Sequence, residues 1–222
     1  MLAIPPKRCG RALVSFLTDD EIAALLAAPD TGRWIGRRDY ALLVVAVQTG
    51  LRVCELTALR CGDIHLDRGA HVRCAGKGRK QRCTPLTGET VAVLRTWLQE
   101  RRGQPEDPLF TTSGGRPLST DAVAWLVGKH ATAARQRCPS IGTKTVTPHV
   151  LRHSTAMRLL HAGVDTSVIA LWLGHEKTDT VQIYLHADLS LKARALARTA
   201  PLGAGPARYR PPDAILTFLE GL

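Results

Sequence analysis

The sequence predicts a mostly α-helical domain with one small antiparallel β-sheet, an α+β fold. Three observations carry this. Apolar residues recur at helical spacing in segment after segment, several of them opened by a cap residue or closed by glycine or proline. Only residues 71–74 and 81–85 offer short runs around a glycine-containing turn. At 222 residues with 45% apolar content, the chain can bury one large or two small cores.

The charge narrows the function classes. A formal net charge of +11 and a pI near 9.9 point to a polyanionic partner, with nucleic acid leading and an anionic membrane surface as the competitor. No apolar run approaches the roughly 20 residues that cross a bilayer, and the longest, residues 40–47, reads as a buried helix. The cysteines at 9, 54, 61, 74, 83 and 138 form no Cys-x-x-Cys pair and no zinc spacing. With no signal peptide, a reducing cytoplasm is expected and the thiols read as buried or incidental.

In chain order, residues 1–17 are basic and contain a Pro-Pro pair, which reads as linker. Thr18 and Glu21 make a capping box, and Ile22, Leu25 and Leu26 give the stripe of a helix ending at Pro29. A second helix is expected over residues 37–48, stopped by Gly50 and so apolar that it belongs in the centre of the core. Leu51, Leu56 and Leu59 share a face of the next, with Arg52 and Glu55 three apart on another. An arginine at a helix start opposes the helix dipole. Either it forms a surface pair with Glu55, or it points into a phosphate site with Glu55 holding its guanidinium.

Residues 71–74 and 81–85 read as a β-hairpin whose turn carries Lys77, Arg79 and Lys80. The turn is either a solvated basic tip or a lysine finger against a nucleic-acid backbone, and the net charge favours the second. It lacks P-loop spacing. Residues 88–99 form an amphipathic helix with Val91, Leu94, Trp97 and Leu98 inward, and Leu109-Phe110 is a short extended piece. Ser119, Thr120 and Asp121 can cap a helix over residues 122–134, and an irregular basic segment runs to Lys144.

Thr147 caps the next helix, Pro148 takes its first position and Gly163 stops it. His149 and Arg152 share a face, and Leu151, Met157, Leu159 and Leu160 supply the apolar contacts. Asp165 or Thr166 caps a helix that ends at Gly174 with His175 just beyond, and residues 178–180 cap a short helix carrying Tyr184. Residues 189–197 read as helix, 201–212 as a Pro/Gly/Arg linker and 213–222 as an apolar terminal helix, which either folds back or docks on a neighbouring subunit.

Arg52, Lys77, His149, Arg152, His175 and Tyr184 together are the parts of metal-free phosphodiester cleavage. Two arginines can hold the non-bridging oxygens and stabilise the extra charge on a pentacoordinate phosphorus. Lysine can protonate a leaving 5′-oxygen, tyrosine can form a covalent phosphotyrosine, and histidine titrates in the range for proton transfer.

The run Thr49-Gly50-Leu51-Arg52-Val53-Cys54-Glu55-Leu56, Lys77 in Gly-Lys-Gly, His149-Val150-Leu151-Arg152-His153, Leu173-Gly174-His175 and then Tyr184 resembles the catalytic domain of the tyrosine recombinase, or phage integrase, family. The likeness spans residues 18–189. It implies Tyr184 as nucleophile, Arg52 and Arg152 as phosphate clamp, Lys77 as general acid, His149 as its acid/base partner and His175 as a phosphate hydrogen-bond donor. Glu55 would support Arg52, and His153 would be structural. Arg79, Lys80, Arg82 and Lys144 are the expected DNA contacts.

The resemblance further implies double-stranded DNA as partner, a tetramer exchanging the helix at residues 213–222, no metal or nucleotide cofactor and a nucleoid-associated location in a bacterial cytoplasm. It implies neither a membrane nor a small-molecule substrate. Transposon, phage and chromosome-resolution roles all share these residues. The chain departs from the family at Cys54, where serine is common. It also has only the linker-like residues 1–17 where members carry an N-terminal helical domain, so that domain is expected to be absent. Two other functions fit the same residues: a type IB topoisomerase-like relaxase, and a catalytically silent DNA-binding regulator.

Overall fold

The computed structural model describes residues 15–75 and 81–174. Helix α1 (Asp19–Leu26) opens with the expected reciprocal box: Glu21 N–H donates to Thr18 Oγ1 at 3.3 Å and Thr18 N–H donates to Glu21 Oε2 at 2.8 Å. Helix α2 (Trp34–Thr49) starts three residues before the sequence suggested. The added residues, Trp34, Ile35 and Gly36, follow Arg33, which makes no side-chain cap bond that would mark the start. Leu42, Leu43 and Val45 are buried completely, and α2 packs against α1, α4 (Gly88–Arg101) and α6 (Pro148–His161) at the centre of the core.

Gly50 ends α2 at φ 62°, a conformation that costs glycine nothing sterically. The chain then restarts as the short α3 (Val53–Ala58). Leu59 lies past its end, in extended conformation, yet is buried with Leu51 and Leu56.

The sheet is antiparallel, in the order β1 (Ile64–His65), β2 (His71–Ala75), β3 (Gln81–Pro85). The hairpin register pairs Val72 with Thr84 and Cys74 with Arg82. Strand β1 was not expected, because two residues are too few to show alternation. Leu109 and Phe110 are not a strand. They are buried in a loop, where Leu109 N–H donates to Leu59 O at 2.8 Å and Leu109 O accepts from Trp97 Nε1 at 3.0 Å.

Helix α5 (Thr120–Ala134) is capped by Ser119 and packs against α1, α3 and α6. It brings His130 to a buried cluster in which Asp39 Oδ2 lies 2.8 Å from His130 Nε2 and Asp39 Oδ1 accepts from Arg38 Nε and Nη2. The basic segment that follows contains a 3-10 turn over Pro139–Thr143. Thr147 caps α6 as expected, and Asp165, not Thr166, caps α7 (Thr166–Leu173). No helix of the described residues is long and apolar enough to cross a membrane. The expected elements beyond Gly174 lie outside the described residues.

Candidate active site

The site is built where three helix ends meet. Arg52 is the N-cap of α3, and its position is set by Glu55 one turn on: Glu55 Oε2 accepts from the Arg52 backbone N–H at 2.7 Å and Oε1 from Arg52 Nη1 at 3.0 Å. This carboxylate offsets the unfavourable placement of a cation at a helix start. The Arg52 side chain remains 39% exposed, so its guanidinium is reachable from solvent.

Glu55 holds a second arginine. Arg82 Nη1 donates to Oε1 at 3.0 Å and Arg82 Nη2 to Oε2 at 2.9 Å, so each carboxylate oxygen accepts two hydrogen bonds and all four of its lone-pair sites are used. Burial pushes the Glu55 carboxyl up. The bonds from Arg82 and from the Arg52 backbone outweigh it and hold the group below its ordinary range.

Arg152 lies in the first turns of α6 and is buried. Its Nη1 donates to Gly50 O at 2.6 Å and its Nη2 to Leu173 O at 2.7 Å. Both carbonyls stand at helix C-termini, where intrahelical partners run out and partial negative charge collects. The next carbonyl, Gly174 O, accepts from Arg52 Nη2 at 3.1 Å. Consecutive peptide units at the end of α7 therefore hold the two guanidiniums.

Two small residues permit this closeness. A Cβ on Gly50 would come within 2.6 Å of Leu173 Cδ2, and one on Gly174, at φ 64°, would collide with the Arg82 guanidinium. Thr155 draws α6 onto α2 by donating to Val47 O at 2.7 Å.

His149 is exposed on the first turn of α6, and its ring meets that of His153 edge-on at 4.2 Å between centroids. Burial, and then the neighbouring charges of His149 and Arg152, depress His153 from 6.5 to about 4. Near neutral pH His153 is an uncharged wall behind His149.

Of the site residues expected from sequence, the structure brings Arg52, Glu55 and Arg152 together and places His149 on the same helix as Arg152. Lys77, Arg79, Lys80, His175 and Tyr184 lie outside the described residues. Two expected DNA contacts have other partners. Arg82 is only 12% exposed and is bound to Glu55. It sits on the inward face of β3 with the buried Thr84, a parity readable from strand alternation. Lys144 Nζ donates to Glu21 Oε2 at 2.6 Å and to Phe16 O at 2.8 Å, because the buried carboxylate of the α1 capping box needs a cation. Among the described residues no cluster of His, Cys, Asp and Glu could hold a metal ion.

The arrangement sets two guanidiniums, the exposed Arg52 and the buried Arg152, beside the end of α7, and paired guanidiniums are the groups that suit the non-bridging oxygens of a phosphodiester. Comparison with known proteins agrees with that chemistry. The model of the phage integrase family matches residues 15–190. The chain is 52% identical over 222 residues to y4rC of Sinorhizobium fredii, named as an integrase/recombinase, covering all of this chain and 67% of that one. It is 39% identical over 192 residues to tyrosine recombinase XerD of Xanthomonas campestris pv. campestris, covering 82% of this chain and 58% of the relative. Among solved structures, XerA recombinase superposes with a TM-score of 0.71 at 29% identity, over 89% of this chain and 68% of the other. XerH site-specific recombinase bound to its palindromic difH substrate superposes with a TM-score of 0.72 at 27% identity, over 86% and 55%. The chain thus spans between about half and two thirds of these longer proteins, and its helical fold with a three-stranded antiparallel sheet is that of their catalytic domains. With a family model matching most of its length, a relative named as an integrase/recombinase matching all of it and a tyrosine recombinase matching 82% of it, the chain belongs to the phage integrase family.

Proposed function

We propose that this chain breaks and rejoins DNA strands in site-specific recombination, through a 3′-phosphotyrosyl intermediate and without metal or nucleotide cofactor. The observation that carries the reading is the pair of guanidiniums, Arg52 and Arg152, held by the consecutive carbonyls of Gly174 and Leu173. In the sequence His175 follows at once and Tyr184 soon after.

In this reaction Tyr184 Oη attacks the phosphorus, its proton passing to a base, and the bond to the 5′-oxygen breaks as Lys77 protonates that oxygen. Arg52 and Arg152 stabilise the charge gathered on the non-bridging oxygens. His149 assists proton transfer, and His175 donates to the phosphate. The phosphotyrosyl ester conserves the phosphodiester energy, so a free 5′-hydroxyl from another strand can displace Tyr184 and reseal the backbone. Residues 18–189 supply this chemistry. Arg79 and Lys80 contact the backbone of double-stranded DNA, and a tetramer forms through exchange of residues 213–222. The protein acts on DNA in a bacterial cytoplasm, and the formal charge of +11 supports the contact with DNA.

The test is a nicked suicide substrate, in which the released 5′ fragment diffuses away and traps the protein on DNA. A covalent adduct that disappears in Tyr184→Phe is the expected result. Intact DNA binding without adduct under any condition would leave a silent DNA-binding protein. Adduct with relaxation of supercoils but no strand exchange would instead indicate a topoisomerase.

A further inference from the structure

We propose that Arg82 is a positioning residue of the cleavage site: it fixes the Glu55 carboxylate that aims Arg52, and so ties the β2–β3 hairpin to the phosphate clamp. This rests on the strand-cleavage reading above.

The hydrogen bonding of Arg82 is turned inward. Both terminal nitrogens donate to Glu55, and Nε has no partner among the described residues. The register sets it opposite the buried Cys74 on the covered face of the sheet. A DNA phosphate could engage this guanidinium only by stripping it from a buried carboxylate.

Three consequences converge on Arg52. Glu55 gives each of its oxygens to both arginines, so the planar fork of Arg82 fixes the carboxylate plane from which Arg52 is hung. Without Arg82, burial would raise the Glu55 carboxyl and weaken its hold. The Arg82 guanidinium also lies directly over Gly174, whose carbonyl accepts from Arg52 and which precedes His175 in the chain. Lys77 lies in the segment joining β2 to β3, so the anchor of that hairpin and the brace of the clamp are one side chain.

The experiment compares the intact chain with Arg82→Lys, Arg82→Ala, Glu55→Gln and Arg82→Ala/Glu55→Gln on the nicked substrate, measuring adduct rate at saturating DNA, DNA affinity and the pH profile. The misplacement of Arg52 should slow cleavage by roughly 100-fold in Arg82→Ala and about 10-fold in Arg82→Lys, with DNA affinity held within about threefold. The acid limb of the profile should move to higher pH in Arg82→Lys, because Glu55 loses its bidentate partner. The double variant should be no slower than the slower single one, since both act through one contact. It also leaves no unpaired buried carboxylate, so it and Arg82→Lys are read if Arg82→Ala fails to fold.

Lost affinity with a normal rate at saturation makes Arg82 a DNA contact and overturns the proposal. So does full-speed cleavage with an unmoved profile in Arg82→Lys, or multiplicative losses in the double variant. Absence of adduct from the parent chain overturns the cleavage reading itself, and the role of Arg82 with it.

Discussion

Arg52 and Arg152 donate to consecutive carbonyl oxygens, Gly174 O at 3.1 Å and Leu173 O at 2.7 Å. The residues are far apart in sequence and lie on different helices, so no local geometry sets their separation. The end of α7 does, because unpaired carbonyls there attract cations. A helix terminus that carries no charged side chain of its own thereby sets the spacing of the proposed phosphate clamp.

Replacing Arg152 should therefore do two separable things. Arg152→Ala should lower adduct formation at least about 100-fold, as expected for loss of a transition-state donor. It should also cost about 1–3 kcal/mol of stability, because Gly50 O and Leu173 O lose their buried partner. Arg152→Lys should recover part of the stability and little of the rate, since one ammonium cannot span both carbonyls and a phosphate. Thermal unfolding and suicide-substrate kinetics on the same preparations check both.

Gly174→Ala should damage the site more than the fold. The positive φ of 64° costs a substituted residue about 1–2 kcal/mol. The added Cβ also pushes on the Arg82 guanidinium, disturbing Glu55 and Arg52 together. Cleavage is expected to fall on the order of 10- to 100-fold with DNA affinity little changed. A normal rate in a folded variant would show that Arg82 can shift without consequence.

Much of the fold was legible in the sequence. Helix starts were readable where a side chain makes the cap: Thr18, Ser119, Thr147 and Asp165 each accept a backbone N–H. The start of α2 was not, because Arg33 gives no side-chain cap. Of the site, Arg52, Glu55 and Arg152 were identified by spacing and family likeness. For Arg82 and Lys144, charge was read as exposure. Each in fact answers a buried carboxylate, Glu55 or Glu21, whose own depth no local pattern reveals. The Arg38–Asp39–His130 cluster escaped for the same reason, since His130 reaches Asp39 from a helix distant in sequence.

That cluster should be worth more to stability than any surface pair. Asp39 is buried and accepts from Arg38, with His130 at its other oxygen. Asp39→Ala strands a buried guanidinium and should cost about 3–5 kcal/mol, a fall in Tm on the order of 10 °C. Asp30→Ala removes only the exposed pair with Arg33 and should change stability by about 1 kcal/mol or less. Calorimetry of the two variants side by side checks the contrast, and equal losses would mean that the buried network is redundant.

His153 predicts how stability depends on pH. Its folded value of about 4 lies below the ordinary 6.5, so between these the unfolded chain binds the extra proton. The contribution is fully present above about pH 6.5 and is withdrawn as pH falls toward 4. At about 1.4 kcal/mol per unit this amounts to about 3 kcal/mol. Glu55 adds a further loss at lower pH, as its depressed carboxyl becomes protonated. His153→Gln cannot titrate, so its unfolding free energy should fall less between pH 6.5 and 4.5 than that of the parent, by up to about 3 kcal/mol. Denaturant melts at intervals of half a pH unit would resolve the difference, and parallel slopes would mean that His153 stays neutral in the unfolded chain or charged in the folded one.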